Sequence, residues 1–255
     1  MTPWLIAAPA LAVGFASFAA YGAVHSQSQV FGATLCTTSR PESLALTFDD
    51  GPNPRITPKL LDLLDRYHAK ATFFVVGKYV REHPALVKEI AARGHVLGNH
   101  TDSHPNLFFA GPAETRTELL RCAEAIQHAA WLEPRWFRPP FGYRSPWLGD
   151  IVHQHGMRTV MWSLIPGDWR LKSSDWLIHR LEPIADHAAQ QRHPSARRRE
   201  RASGDILCLH DGDYSRPNGD RTRTVAALEF CLPRWSDLGL EFVTISQVAR
   251  KAVEA

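Results

Sequence analysis

The chain has 255 residues, of which 44% are hydrophobic, and its formal net charge is +3. This length and composition suffice for a full buried core, in one large domain or two small ones. The charge is too small to favour a nucleic-acid binder, and we expect no nucleic-acid partner. The four cysteines form no C-x-x-C pair, which excludes a zinc ribbon and a thioredoxin-like motif. We expect separate thiols, with a disulfide as the alternative in an exported domain.

The N-terminus contains an uncharged apolar run from Trp4 to Val24. Its length of about 21 residues is enough for a helix to cross a hydrocarbon core of ~30 Å. A cleaved signal peptide is the alternative, with Ala20-Tyr21-Gly22 as its cleavage site, but no Lys or Arg precedes the run. We therefore predict a transmembrane anchor or signal segment in residues 1–24. A polar linker, residues 25–42, then leads to a single domain, residues 43–255.

Within that domain, short apolar strands alternate with amphipathic helices. Strands are predicted at Leu44–Phe48, Ala71–Val76, His95–Gly98, Trp136–Arg138, Arg158–Trp162, Ile206–Leu209 and Glu241–Thr244. Helices are predicted at Thr57–Tyr67, Ala85–Arg93, Ala113–Trp131, Trp147–His155, Ser174–His187, Thr222–Trp235 and Ser246–Val253. We expect Thr57 to cap the first of them, and one face of the helix at Ala113–Trp131 to carry Leu119, Leu120, Ala123 and Ile126. This alternation predicts parallel pairing through right-handed crossovers, and hence an α/β fold built on a barrel or a doubly wound sheet.

One segment, between His187 and Gly204, departs from the alternation. It has almost no bulky apolar residue and is rich in arginine, with Arg192, Arg197, Arg198, Arg199 and Arg201. We expect a solvated, mobile insertion. It either binds nothing specific or is attracted to phosphate-bearing lipid or glycan near a membrane.

Two adjacent carboxylates end the first predicted strand, in the stretch LALTFDDGPNP from Leu44 to Pro54. Asp49 and Asp50 repel each other, and a nearby cation would relieve that repulsion. A division of roles, in which one carboxylate binds a metal and the other carries a proton, would also make the pair useful. The alternative is an acidic turn that caps the next helix.

Two histidines follow the third predicted strand, in the stretch GNHTDSHP. The spacing of His100 and His104 is typical of imidazoles that bind one zinc ion from one side of a helical turn. The Asp pair can supply a third ligand if the strand ends gather on one face, as they do in α/β barrels. Polar or aromatic residues follow three further strands on that face, at Arg138–Gly142, Asp168–Trp169 and His210–Asp211.

The motifs TFDDGP, HTDSH, RPPFG, GDW and CLHD resemble the five ordered motifs of the polysaccharide deacetylases, carbohydrate esterase family 4, also called the nodulation-protein-B homology domain. The resemblance covers Ser43 to Ala255. It implies a distorted (β/α)7-type barrel, a divalent metal that is usually zinc, and an acetylated glycan as substrate. The implied reaction is hydrolysis of N-acetyl, or O-acetyl, groups by a metal-activated water. With the predicted anchor, it implies a membrane-anchored enzyme whose catalytic domain is periplasmic or extracellular.

The resemblance also implies a role for each matching residue. Asp50, His100 and His104 would bind the metal. Asp49 would be the general base, with Arg138 orienting it, and His210 the general acid. The backbone N–H of Phe141 would bind the oxyanion. The substrate site would be lined by Phe141, Asp168, Trp169 and Cys208.

The sequence departs from the family pattern at three positions. Phe141 replaces a tyrosine. Cys208 replaces a leucine, and this second change would enlarge the apolar wall against the acetyl methyl group. Ile165 replaces the aspartate that partners the acid histidine in the family. We therefore expect a lower pKa for His210 than in relatives, unless Asp168 or the neighbouring Asp211 fills the vacancy.

Two alternatives to the enzyme follow from these departures. One is a deacetylase-like carbohydrate-binding protein that has lost turnover. Ile165 supports this alternative, whereas the intact remainder of the motifs argues against it. The other is an adaptor whose working surface is the arginine-rich segment.

Overall fold

The computed structural model of the protein describes residues 14, 16–170, 172–192 and 203–251. Its centre is an eight-stranded sheet in which every ladder is parallel. The strands are β1 (Thr34–Leu35), β2 (Ser43–Gly51), β3 (Ala71–Val75), β4 (Val96–Asn99), β5 (Trp136–Phe137), β6 (Arg158–Val160), β7 (Asp205–His210) and β8 (Glu241–Phe242). Their order is β1-β6-β5-β4-β3-β2-β7, and β8 pairs with β2.

Short irregular pairings bring the two ends of the sheet together. Leu164, beyond β6, bridges to Leu207 of β7, and Thr37, beyond β1, bridges to Asp205. The sheet is therefore curled and closes through isolated bridges, since no regular ladder joins β1 to β7. This architecture is consistent with the predicted distorted (β/α)7-type barrel.

Helices cover the outside of the curled sheet. They are α1 (Thr57–Arg66), α2 (Gly77–Glu82), α3 (Pro84–Ala92), α4 (Pro112–Ala130), α5 (Leu148–Gln154), α6 (Ser174–Arg192), α7 (Thr222–Asp237) and α8 (Ile245–Lys251). All seven predicted strands and all seven predicted helices occur, with shifted ends. Strand β1 and helix α2 were not predicted from the sequence.

The strand β2 is the centre of the core. It is buried along its whole length and lies between β3 and β7. Leu44, Leu46 and Phe48 pack in the main core cluster, where Phe48 stacks on Phe73 of β3 with ring centroids 5.1 Å apart. Ala45 lies in a second apolar cluster. Because a parallel strand covered on both faces has no solvent-exposed side, β2 is mostly apolar before its two aspartates, and the hydroxyl of the buried Thr47 donates to the Leu207 carbonyl.

Two local sequence predictions for the helices need correction. Leu120 was predicted on the buried face of α4, but it is 42% exposed, and the buried face carries Leu119, Cys122 and Ile126 at helical spacing. Thr57 was predicted to cap α1, but its side chain makes no cap hydrogen bond. Its hydroxyl instead accepts from Asn53 N–H at 2.9 Å and donates to the Asp211 carboxylate.

Residues before β2 pack on the barrel. Residues 16–24 are helical, and Ala23 is buried and accepts a 3.0 Å hydrogen bond from the backbone of Arg144. The buried Arg144 guanidinium donates to the carbonyls of His25 and Ser28. The predicted linker, residues 25–42, thus contributes both β1 and the partners of a buried arginine.

Two predicted segments fall largely outside the described residues. Most of the predicted anchor, residues 1–13 and 15, is among them. Across the ranges that are described, no helix combines the length and apolar character needed to cross a membrane. Of the arginine-rich segment, residues 193–202 are not described, while residues up to Arg192 continue α6 as helix, where an irregular insertion was predicted.

Candidate active site

The sequence motifs meet at the carboxyl ends of the parallel strands. Asp49 and Asp50 lie at the end of β2, and His210 ends β7. His100 follows β4 and Arg138 follows β5. The fold therefore brings together residues that are separated by up to about 160 positions, because parallel strands share one C-terminal face.

A carboxylate and two imidazoles converge at the centre of this face. Asp50 Oδ1 lies 3.1 Å from His104 Nε2 and 3.4 Å from His100 Nε2. All three side chains are buried. Asp50 and His104 have positive φ angles of 70° and 64°, which non-glycine residues adopt infrequently. This local backbone strain is retained where the three ligand atoms meet.

The chemistry of this cluster fits a divalent cation. Asp50 Oδ1 is buried and makes no hydrogen bond of acceptable geometry, although two ring nitrogens lie close to it. His100 Nδ1–H donates to the Arg138 carbonyl at 2.7 Å, which leaves Nε2 as the lone-pair donor. Burial lowers the pKa of His104 and favours its neutral, ligating form. One carboxylate and two imidazoles are a set that zinc accepts readily.

The pKa of Asp50 also suits a ligand. Burial raises the pKa, but the two neighbouring histidines, His100 and His104, outweigh burial and hold it well below its usual range. The group therefore stays a carboxylate, which is the form that binds a cation.

A second group of potential ligands, Asp49, Cys208 and His210, lies beside the first. It fits a cation poorly. Asp49 Oδ1 is bonded to the Arg138 guanidinium at 2.8 Å, and burial raises the pKa of the Cys208 thiol well above its usual value. The Cys208 thiol donates to Asp49 Oδ2 at 3.4 Å, so the cysteine is a neutral neighbour of this carboxylate.

Arg138 is fully buried and fixes Asp49. Its Nη1 also donates to Thr47 Oγ1 at 2.7 Å, and its Nη2 and Nε donate to the carbonyls of Met161 and Val160. The guanidinium carbon lies 4.2 Å from the centroid of the Phe74 ring. With these contacts the arginine has little freedom, so Asp49 is held in one orientation.

His210 has a carboxylate partner, and it is Asp168. Asp168 Oδ1 accepts from His210 Nδ1 at 2.8 Å, and Oδ2 accepts from His210 N–H and from Thr224 Oγ1. Burial lowers the pKa of His210, but Asp168 outweighs burial and raises it to about 9. Asp168 was predicted to line the substrate site, whereas its side chain is fully buried behind the histidine. Ile165 lines the cavity, and the position beside His210 Nδ1 that the family aspartate would take is filled by Asp168.

The cluster opens into a cavity of about 480 Å³. This volume lies within the range of small-molecule sites, roughly 300–1,000 Å³. Phe141, Trp169 and Cys208, which the sequence predicted to contact a substrate, line this cavity. Trp169 packs edge-on to His210 with centroids 5.1 Å apart. The backbone N–H of Phe141 makes no hydrogen bond to another described residue, and this residue sits at a φ of 58° in a tight turn.

Sequence reasoning missed several residues of this site. Asp213, Tyr214 and Arg221 follow β7 and line the cavity. The rule that strand ends gather on one face could have found them, because they belong to the segment after the CLHD motif.

Glu118, on α4, was also missed. Its carboxylate accepts from the backbone N–H groups of Asp102 and Ser103 at 2.9 and 2.8 Å, and from Ser103 Oγ at 2.8 Å. It therefore holds the turn between His100 and His104.

The fold and the site define a parallel α/β-barrel protein whose carboxylate and imidazole groups gather at the C-terminal face of the barrel. The sequence profile described as polysaccharide deacetylase matches residues 37–160. Together with the relatives below, which cover about four fifths of this chain, this match shows that the chain belongs to the polysaccharide deacetylase family.

Similar proteins cover most of the chain. A peptidoglycan-N-acetylglucosamine deacetylase of Bacillus cereus is 37% identical, over 81% of this chain and 88% of the relative. A chitooligosaccharide deacetylase of Azorhizobium caulinodans is 32% identical, over 80% of this chain and 93% of the relative. The solved structure of the Bc1960 peptidoglycan N-acetylglucosamine deacetylase superposes with a TM-score of 0.72 at 30% identity, covering 84% of this chain and 91% of that chain.

Proposed function

We propose that this protein hydrolyses N-acetyl groups of a glycan with the help of a divalent metal. The observation that carries the proposal is the convergence of the Asp50, His100 and His104 ligand atoms beside two polar pairs, Asp49–Arg138 and His210–Asp168. The similarity to deacetylases of peptidoglycan and of chitooligosaccharides supports an acetylated glycan as the substrate.

Asp50, His100 and His104 would hold the metal, for which the donor set favours zinc. When bound there, such a cation supplies Lewis-acid polarisation of the acetyl carbonyl and a lowered pKa for water.

Asp49 would act as the general base. Its Oδ1 is tied to Arg138, and its Oδ2 accepts from the weak Cys208 S–H donor. A lone pair on Oδ2 is therefore available to take a proton from the attacking water. The guanidinium keeps this oxygen aimed in one direction.

His210 would act as the general acid. Its Nδ1 is occupied by Asp168, so Nε2 carries the proton that can be given away. A pKa of about 9 keeps that proton in place near neutral pH, and the leaving amine then takes it. The free N–H of Phe141 would donate to the developing oxyanion.

The alternative function is carbohydrate binding without turnover. Its sequence argument was the loss of an acidic partner at Ile165, and the Asp168–His210 hydrogen bond removes that argument. The proposed enzyme is therefore the better supported of the two.

Two variants test the proposal. His104→Ala should lose both bound metal and acetate release, because it removes a ligand. Asp49→Asn should keep the metal and lose roughly 10²- to 10⁴-fold in kcat, because it removes the base. Metal content by mass spectrometry and acetate release from N-acetylated oligosaccharides are the measurements, with His153→Ala, an exposed histidine on α5, as the control.

Full metal occupancy in a His100/His104 double variant would contradict the ligand assignment. A metal-loaded wild type that binds glycan without releasing acetate would favour the alternative.

We also propose that residues 4–24 anchor the protein in a membrane, with the catalytic domain periplasmic or extracellular. The length and uncharged character of the run support an anchor. The full chain should then stay in the membrane fraction after a carbonate wash. Recovery of a shortened protein beginning near Ala23 would instead identify a cleaved signal.

A further inference from the structure

The loop after β7, residues 211–221, borders the cavity with side chains that the proposed reaction does not use. Asp213, Tyr214 and Arg221 line the cavity beside the metal-type cluster and the His210 side chain. Each of these three side chains has a feature that a ligand would satisfy.

Arg221 is a buried cation with unused hydrogen-bonding capacity. The residue is 8% exposed, and its buried Nε donates to no described residue. Nη1 makes one long contact, 3.4 Å to the Asp220 carbonyl, and Nη2 lies 3.7 Å from Asp213 Oδ2. The second separation is beyond hydrogen-bond range. A guanidinium that has been removed from water without full replacement partners favours a ligand that accepts hydrogen bonds.

Asp213 offers the complementary acceptor. Its Oδ1 accepts from the backbone N–H and the hydroxyl of Ser215 at 2.9 and 2.6 Å. Its Oδ2 accepts no hydrogen bond from a described residue. An open acceptor and an open donor thus stand 3.7 Å apart at the edge of the cavity.

Tyr214 adds an aromatic surface beside His104. Its ring stacks on His104 with centroids 4.2 Å apart and an interplanar angle of 12°, and the residue remains 39% exposed. Its carbonyl accepts from Lys78 Nζ at 2.7 Å and from the Tyr79 hydroxyl at 3.0 Å. Helix α2 thereby holds this loop in place.

We infer that Asp213, Tyr214 and Arg221 form a subsite that binds a sugar unit of the glycan next to the acetyl group that reacts, an inference that rests on the proposed deacetylase function. Neighbouring sugar hydroxyls can donate to Asp213 Oδ2 and accept from Arg221, because each hydroxyl is both donor and acceptor. The aromatic ring covers the apolar face of the sugar. A neutral sugar fits better than an acidic one, since Asp213 already offsets the charge of Arg221 and would repel a second anion.

The test compares a long substrate with a short one. We measure kcat/KM for a tetrameric N-acetylglucosamine oligosaccharide and for 4-nitrophenyl acetate, which has no sugar hydroxyl to pair with Asp213 or Arg221. We divide kcat/KM for the oligosaccharide by kcat/KM for the ester. In Asp213→Asn and Arg221→Gln this ratio should fall about tenfold or more, mainly through a higher KM for the oligosaccharide. Arg216→Gln is the control, because Arg216 is exposed in the same loop and does not line the cavity.

The possible outcomes separate the subsite from the proposed function. A ratio unchanged from wild type, or an equal loss on both substrates, overturns the subsite. Absence of acetate release by metal-loaded wild type overturns the proposed function. In that case calorimetric binding of the same oligosaccharide decides the subsite, which predicts about tenfold weaker binding by Asp213→Asn and is overturned by equal binding. Since Arg221 is buried, Asp213→Asn provides the decisive variant if Arg221→Gln does not fold.

Discussion

The hydrogen bond between Asp168 and His210 determines which form of the histidine the site holds. The carboxylate favours the imidazolium and outweighs the opposing effect of burial. Asp211, the other carboxylate considered from the sequence, faces Thr57 and does not bond to His210. Burial raises the pKa of Asp211 to about 7, which weakens it further as a partner for a cation.

Replacing Asp168 with asparagine should move the basic limb of the pH profile to lower pH. His210 must be protonated to serve the leaving amine, so kcat/KM falls as the pH rises through its pKa. The wild-type limb should lie near pH 9, and without the carboxylate burial alone pushes the pKa down. Initial rates between pH 6 and pH 10 locate the limb in both proteins, and the limb of Asp168→Asn should lie lower by at least about 1 in pH.

The comparison variant is Ile165→Asp, which restores the aspartate that the family pattern has at this position. Because Asp168 already accepts the hydrogen bond from His210 Nδ1, we expect Ile165→Asp to shift the basic limb of the pH profile less than Asp168→Asn does. Identical limbs in wild type and Asp168→Asn would show that His210 is not the acid.

Among the elements, α4 acts on the site from a distance through Glu118. Three hydrogen bonds from the turn between the two histidines end on this one carboxylate. The same turn also carries Asp102, which pairs with Arg81 of α2 through two bonds of 2.6 and 3.0 Å. The position of His104 thus depends on two helices that contribute no ligand.

Removing the Glu118 side chain should weaken metal binding. In Glu118→Ala the turn loses its partners, and His104 is less well oriented toward Asp50. Loss of an outer partner of a metal ligand typically costs about 10- to 100-fold in affinity. Competition with a chromophoric zinc chelator measures the dissociation constant, and Glu124→Ala, an exposed carboxylate of the same helix, is the matched control. Equal zinc affinity in the two variants would contradict this role.

The elements that the sequence revealed, and those it did not, differ in length and in the origin of their contacts. Strand β2 and helix α4 are long enough for hydrophobic periodicity to identify them. Strand β1 has two residues, too few for any pattern, and exists because β6 offers it an edge. Helix α2 begins directly after β3 at Gly77, where a Cβ would lie 2.9 Å from Cys122 Cα. That close approach is a contact between distant parts of the chain, so the local helix propensity of the sequence does not predict it.

The same distinction applies to the site. The motif residues were predictable because each follows a strand that the sequence identifies. The partnership of Asp168 with His210 was left open, because it depends on how the segment after β6 turns back toward β7. The roles of Glu118 and Arg221 depend on contacts between distant elements, and neither belongs to a recognisable motif.

For the whole molecule, the residues before β2 are part of the folded unit. Arg144 is buried, burial lowers its pKa, and its guanidinium donates to carbonyls of His25 and Ser28. A chain that starts at Ser39 would keep this buried cation and lose both acceptors. It would also lose the pairing of β1 with β6.

A chain starting at Ser39 should therefore melt at least about 5 °C below a chain starting at Tyr21, since about 1 kcal/mol corresponds to ~2–4 °C in a domain of this size. Differential scanning calorimetry measures both. Arg144→Met should recover part of the loss in the shorter chain, because it removes the unpaired buried charge. In the longer chain the same substitution should lower the melting temperature. Equal melting temperatures for the two unsubstituted chains would show that the N-terminal residues do not stabilise the barrel.

Arg138 contacts both working parts of the site through different atoms. Its carbonyl oxygen accepts the hydrogen bond that orients His100, and its guanidinium holds Asp49. The spacing between the ligand group and the proton-accepting group is thus set by the conformation of one side chain, whose torsion angles are held by its hydrogen bonds to Thr47, Val160 and Met161. The alignment of the two parts should therefore tolerate heating and slight deformation of the scaffold up to the point at which Arg138 itself loses its packing.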